Sequence, residues 1–205
     1  MTASSHDFTR KAFSTQPGYD EPRVRREFAQ LMPLRTIVIH CYDPRAVGIP
    51  AAVAKDLGDE YPGAPRTDGD GNLVGMTASM LPVVVAGGRA MDALRSITVA
   101  QHLFGVENVA VVHHTHCGAT SYTVRGIIEA FQRENDLDIA DTYPRASVCI
   151  SDYRSSLEHD VALIRAAQGT PRHVNVYGYL YDIDNGDLTR IIADRGVVRA
   201  KCPQC

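Results

Sequence analysis

No apolar run in this chain approaches the length of a membrane span, which removes a helical membrane protein from consideration. Excess charge of one sign is missing too: 21 Lys and Arg against 24 Asp and Glu leave a formal net charge of -3. That balance gives no electrostatic case for nucleic acid or an anionic membrane as a partner. The stretch from Met1 to Pro22 lacks the apolar core of a secretory signal, and two basic residues before Gln16 are too few for an organelle transit peptide. Cysteine is sparse and odd in number, five in 205 residues, with at least three in motif-like positions rather than in a disulfide framework. This usage suits a reducing compartment, so the expected location is cytoplasmic. Repeats and low-complexity blocks are also absent. What remains is ordinary for a soluble globular chain, 44% hydrophobic and 22% charged, long enough for one well-packed domain and cramped for two.

The pattern along the chain predicts one α/β unit. A polar tail and a short amphipathic helix over Glu21 to Met32, ended by Pro33, occupy residues 1–33. A single α/β domain is expected over 34–192, followed by a tail over 193–205. Strands are predicted at Leu34 to His40, Leu81 to Ala86 and Asn108 to His113, the second of them buried. Gly58 to Gly75 is rich in Gly, Pro and Asp and predicts a long flap or mobile loop. Helices are predicted at Ala46 to Leu57, Ala90 to Phe104 with Gly105 as C-cap, Gly118 to Arg133, and Ser155 to Gln168. Two alternating stretches around Asp184-Asn185-Gly186-Asp187 predict a closing hairpin. The fold class expected is a mainly parallel central sheet flanked by helices, with an antiparallel C-terminal hairpin.

Two short clusters carry the chemistry. Cys41-Tyr-Asp43-Pro-Arg45 follows the run Arg35-Thr-Ile-Val-Ile-His40, and His114-Thr-His-Cys117 follows Asn108-Val-Ala-Val-Val-His113. Buried parallel strands read this way, and open α/β sheets bind ligands just beyond the carboxyl ends of their strands. If both strands share one sheet, Cys41, His114 and Cys117 can converge. Two thiolates and one imidazole form a soft tetrahedral set for Zn2+ with the fourth position open, the arrangement of catalytic zinc. Asp43 can pair bidentately with Arg45 and accept a hydrogen bond from a hydroxide that zinc generates near neutral pH. If the pair with Arg45 breaks, Asp43 could take the fourth zinc position and shut the site.

These residues resemble the beta-class carbonic anhydrases, whose signature is Cys-x-Asp-x-Arg and then His-x-x-Cys-Gly. The resemblance continues through Ala86-Gly87-Gly88, Asp92-Ala-Leu-Arg95-Ser96, Gln101, Glu158-His-Asp160-Val161 and Gly178 to Gly186. It covers roughly Leu34 to Ile192 and is most similar to a compact branch that includes carbonyl sulfide hydrolases. It implies Zn2+ on Cys41, His114 and Cys117, with Asp43 and Arg45 as catalytic groups. It also implies a small linear heterocumulene substrate and a homodimer or tetramer of dimers. The expected reaction is carbon dioxide to bicarbonate, or carbonyl sulfide to hydrogen sulfide and carbon dioxide. The alternative is a catalytically silent zinc-binding interaction or regulatory protein on the same fold. Val85, Gly87 and Gly118 are the expected substrate-pocket residues. Where the family commonly has Arg-Asn, this chain has Val84-Val85, an apolar change that is either a repacking of the strand or a pull toward carbonyl sulfide, against a family base rate that favours carbon dioxide.

Other candidates carry duller readings. His113 and His116 could shuttle protons or be core and solvated histidines. Asp92 and Arg95, one helical turn apart, read as a local ion pair. Asp68-Gly-Asp70-Gly-Asn72 resembles the start of a calcium loop but has Leu73 at the sixth place and Ser79 at the twelfth, so it reads as a turn. Cys202-Pro-Gln-Cys205 has metal or redox spacing without a second pair and reads as a solvated tail, and Cys149 as a buried filler.

Overall fold

The computed structural model describes residues 12–197. The central sheet has five strands: β1 (Thr36–Cys41), β4 (Met80–Val85), β5 (Asn108–His114), β6 (Asn175–Tyr181) and β7 (Leu188–Asp194). Their spatial order is β4-β1-β5-β6-β7, with every neighbouring pair parallel except β6 and β7. This is the expected mainly parallel sheet with an antiparallel C-terminal edge.

Alternation along β1 and β5 divides the core into two layers. Ile37, Ile39, Val109 and Val111 face one side, covered by α3 (Leu94–Phe104) and α6 (Tyr153–Ala166) through Ile97, Leu157, Val161 and Ile164. Val38, Ala110 and Val112 face the other, covered by α2 (Ile49–Leu57) through Ile49, Val53 and Ala54. Both faces of the middle strands are therefore dry, which is why they read as continuous apolar runs. Gly105 closes α3 in the left-handed conformation at φ 64°, as its position after the last apolar repeat predicts.

Three expectations need correction. Gly58 to Gly75 is not one open loop, because β2 (Pro65–Thr67) and β3 (Leu73–Met76) pair antiparallel across the Asp68–Asn72 turn. These strands are short and mostly exposed, so they carry no apolar alternation to read. Gly118 to Arg133 is not one helix: a 3-10 turn spans Gly118–Thr120, and α4 (Val124–Asn135) begins only after Thr123, whose hydroxyl caps the Gly126 amide. The β4 strand is an edge strand rather than a fully buried one, with Val84 51% exposed. The first helix, α1 (Glu21–Leu31), matches its expected bounds within a residue and packs against α3, where His102 meets Glu21 at 2.9 Å.

The strand ends are locked by Gly87-Gly88, both at positive φ. A Cβ at Gly88 would stand 2.7 Å from the Val112 carbonyl oxygen and 3.1 Å from the Cys41 amide. Arg89 follows and is almost wholly buried. Its Nε and one terminal nitrogen donate to the two Asp160 oxygens at 2.9 and 3.0 Å, and its fork also reaches the Cys149 and Ala146 carbonyls at 2.7 and 2.9 Å. This ion pair ties the Gly-Gly turn to α6 and to α5 (Arg145–Val148).

Two stability changes follow. Gly88→Ala should destabilise the fold by about 2 kcal/mol or more, from left-handed strain plus the backbone clash. Arg89→Met, which strands a buried carboxylate, should cost about 3–5 kcal/mol. Denaturant unfolding of each variant against the parent checks both, and an unchanged midpoint would contradict the packing described.

Candidate metal centre

The site forms where β1 and β5 end side by side. Their register pairs His40 with Val112, so Cys41 and His114 leave the sheet at nearly the same level, and the turn after β5 brings Cys117 back toward them. The sulfur-sulfur distance between Cys41 and Cys117 is 3.9 Å, and the ligand atoms of Cys41, His114 and Cys117 all lie within 4.8 Å of one another. Two sulfurs each about 2.3 Å from a tetrahedral zinc would stand about 3.8 Å apart, so the thiol pair is spaced for that ion.

The imidazole is prepared in the same sense. His114 Nδ1–H donates to the Thr115 carbonyl at 2.8 Å, which fixes the tautomer and leaves the lone pair on Nε2. That Nε2 is buried and has no hydrogen-bond partner. An orphaned buried nitrogen beside two buried sulfurs is costly unless a cation satisfies all three. Burial pushes the Cys117 thiol up to about 11, and the neighbouring Cys41 sulfur adds to the shift. A bound cation would reverse this effect by favouring the thiolate.

Asp43 lies outside that set of mutually close ligand atoms, although its Oδ2 comes within 3.9 Å of His114 Nε2. Its carboxylate is held by Arg45: Oδ1 accepts from the Arg45 backbone amide and Nε, both at 3.0 Å, and Oδ2 accepts from a terminal nitrogen at 2.6 Å. Arg45 also donates to the His116 carbonyl at 3.0 Å, anchoring the dyad to the β5 turn. Hydrogen bonds from Arg45 hold the Asp43 carboxyl well below the usual carboxylate range. The arrangement is thus an acceptor beside three potential ligands, with Asp43 turned toward Arg45.

A cavity of about 240 Å³ opens here, with Cys41, Asp43, Gly87, Gly118, Ala119 and Tyr122 among its walls. Gly87 and Gly118, two of the residues expected at a substrate pocket, are among these walls. Val85 does not line this cavity. It pairs with Cys41 in the sheet, but its side chain packs with Leu81 and Val83 against the α3–α6 layer. The side chain of Val84 is solvent-exposed on the edge strand. Alternation across the strand decides this placement, and the Val84-Val85 change gives no geometric reason to prefer carbonyl sulfide. His113 is buried beneath α6, bonded to Ser156 Oγ at 3.0 Å, and burial lowers its pKa to about 3, so it sits there neutral. His116 is exposed, at φ 54°, 3.7 Å from Asp184. Asp92 and Arg95 are exposed and neither lines the cavity. Asp68 closes a turn onto the Asp70 and Asn72 amides at 3.0 and 2.8 Å. Cys149 is half-buried, and Cys202 and Cys205 lie outside the described residues. Reading the sequence missed Tyr122 and Arg89: one follows a turn that resembles a helix, and nothing local marks the other for burial.

The architecture can be compared with solved proteins. A carbonic anhydrase from Streptococcus mutans superposes with a TM-score of 0.60 at 22% identity, covering 83% of this chain and 95% of that one. The chain has the beta-carbonic-anhydrase fold. In sequence it is similar to beta-carbonic anhydrase 1 of Mycobacterium tuberculosis, 27% identical over 103 residues, which are 49% of this chain and 59% of that protein. It is also similar to the carbon disulfide hydrolase of Acidithiobacillus thiooxidans, 25% identical over 111 residues, 47% of this chain and 56% of that protein. The chain thus resembles the beta-class carbonic anhydrases and a hydrolase related to them, while its match spans under three-fifths of the length of these curated relatives. No family model matches it.

Metal analysis tests the centre. Protein purified with zinc should carry about one ion per chain, lost in Cys41→Ser, His114→Ala and Cys117→Ser, as a three-ligand site requires. Removing Cys202 and Cys205 together should leave that content unchanged. Full occupancy in two of the three ligand variants would refute the assignment.

Proposed function

We propose that this chain is a zinc-dependent enzyme of the beta-carbonic-anhydrase type, acting on a small, linear, electrophilic heterocumulene such as carbon dioxide or carbonyl sulfide. The observation that carries the reading is the convergence of Cys41, His114 and Cys117 beside an Asp43 carboxylate already held by Arg45. Cys41, His114 and Cys117 would hold the ion. When bound, zinc supplies a water acidified toward neutral pH, so that hydroxide is available as a nucleophile.

The chain's own groups do the positioning. Asp43 stays ionised and, with Arg45 occupying its other lone pairs, offers an acceptor that fixes the orientation of the attacking oxygen. Arg45 keeps that carboxylate from swinging onto the metal. Gly87 and Gly118 leave the wall without side chains, so a linear triatomic molecule can lie against the backbone. The exposed edge of β4, with Val84 bare, suits association with a second copy, in keeping with a homodimer or tetramer of dimers. No helix among the described residues is long and apolar enough to cross a membrane. A cytoplasmic location fits cysteines placed as metal ligands rather than in a disulfide framework.

Parallel assays of carbon dioxide hydration and carbonyl sulfide consumption on one zinc-loaded preparation test the reading. Turnover of either gas supports it. Zinc at full occupancy with neither activity would favour the silent zinc-binding alternative. Asp43→Asn should keep zinc and lose about 10²-fold or more in kcat, since the amide presents a donor where an acceptor is needed. Arg45→Ala should lose turnover likewise. Near-parental rates in Asp43→Asn would rule out the orienting role.

A further inference from the structure

One face of α1 carries cations that nothing nearby neutralises. Pro22, Arg25, Arg26 and Ala29 recur at helical spacing and form one wall of a groove of about 690 Å³. The end of α3, from Gln101 to Gly105, forms another wall, and Pro171 completes the lining. Pairing along α1 singles the two arginines out. Glu21 meets His102 at 2.9 Å, and Glu27 lies 3.9 Å from Arg23. Both acidic residues of the helix are thereby taken, while neither Arg25 nor Arg26 has an acidic partner among the described residues. Two neighbouring guanidiniums without a counter-charge repel each other, a cost that a bound anion removes.

The α3 wall has the opposite character. The Gly105 amide closes the helix onto the Gln101 carbonyl at 3.1 Å, so the carbonyls of residues 102–104 receive no helical amide. The groove thus offers donors from one helix and acceptors from the other, with apolar surface from Leu103, Phe104 and Pro171 beside them. A bare anion suits only the first wall, since a helix C-terminus is itself partly negative. A phosphate ester whose organic body carries hydroxyl or amino donors suits both. The volume lies within the range of small-molecule sites, about 300–1,000 Å³. Because α3 leads into β5 and Pro171 precedes β6, the groove sits at the amino ends of the strands. The metal ligands sit at the carboxyl ends, the length of seven-residue β5 or about 20 Å away.

We propose that this groove binds a small organic phosphate of the mononucleotide kind, with Arg25 and Arg26 on the phosphate and the carbonyls ending α3 on the donors of its organic body. The site is separate from the metal centre and does not rest on the function proposed above.

The test titrates the zinc-loaded full chain with AMP, adenosine and inorganic phosphate by calorimetry. AMP should bind saturably, about tenfold or more tighter than adenosine or phosphate alone, because only AMP engages both walls. Replacing both cations together, Arg25→Ala with Arg26→Ala, should weaken AMP about tenfold or more while zinc content stays at the parental value. Both positions are exposed and alanine favours a helix, so this variant should fold. Ala29→Trp narrows the groove and keeps both cations, so it should weaken AMP and leave phosphate unchanged. A parent without saturable AMP binding overturns the proposal. Parental AMP affinity in the folded double variant also overturns it, since the nucleotide then binds elsewhere. AMP no tighter than phosphate overturns the choice of an ester. If the double variant does not fold, Ala29→Trp decides, and parental AMP affinity there removes the groove as the site.

Discussion

The parallel pairing of β1 with β5 is the constraint on which everything else depends. Its register, His40 opposite Val112, brings two strand ends level, and each strand closes on a potential metal ligand, Cys41 on β1 and His114 on β5. A slip of one residue would send Cys41 and His114 to opposite faces or different heights, since side chains alternate across a strand. Burial of both faces of this pair under α2 on one side and α3 with α6 on the other makes such a slip expensive. The hydrophobic core and the metal-ligand geometry are therefore the same fact seen at two ends of the strands.

Around that pair, close packing substitutes for covalent restraint. Gly88 lets the turn after β4 approach the Val112 carbonyl and the Cys41 amide, a distance no side chain would permit. Arg89, buried and fully engaged, then carries the same turn into contact with Asp160 of α6 and with the carbonyls of 146 and 149. A buried ion pair of this kind contributes little net stability but penalises any other arrangement of its surroundings. Here those surroundings include α5 and the Gly87–Gly88 turn that walls the site.

Local spacing explains why part of the site is legible without a structure. Asp43 and Arg45 are two residues apart in a 3-10 turn, so the carboxylate caps the Arg45 amide and receives its fork with little help from the rest of the chain. The helix ends at Gly105 and Asp152 follow from the same kind of local chemistry, one by adopting the left-handed conformation and the other by accepting from the Ser155 amide. Val85 shows the opposite case. Its identity invited a pocket role, but which face of β4 it occupies depends on alternation measured from neighbouring strands. The β2–β3 hairpin was hidden for a related reason: short exposed strands have no buried face to impose a pattern.

The sequence by itself determined the strand runs, the donor residues at their ends and the Asp43–Arg45 dyad, because each is set by neighbours within a few positions. It also determined the class of fold, since continuous β-branched runs alternating with amphipathic helices leave few ways to bury both faces of a sheet. Tertiary structure alone decided that Cys41 and Cys117 stand 3.9 Å apart and that His114 presents an unpartnered Nε2 to them. It alone packed the half-buried Val85 against the α3–α6 layer and set Arg89 in a buried ion pair. Those features arise between residues dozens of positions apart, where strand register and helix packing fix distances that no local pattern encodes.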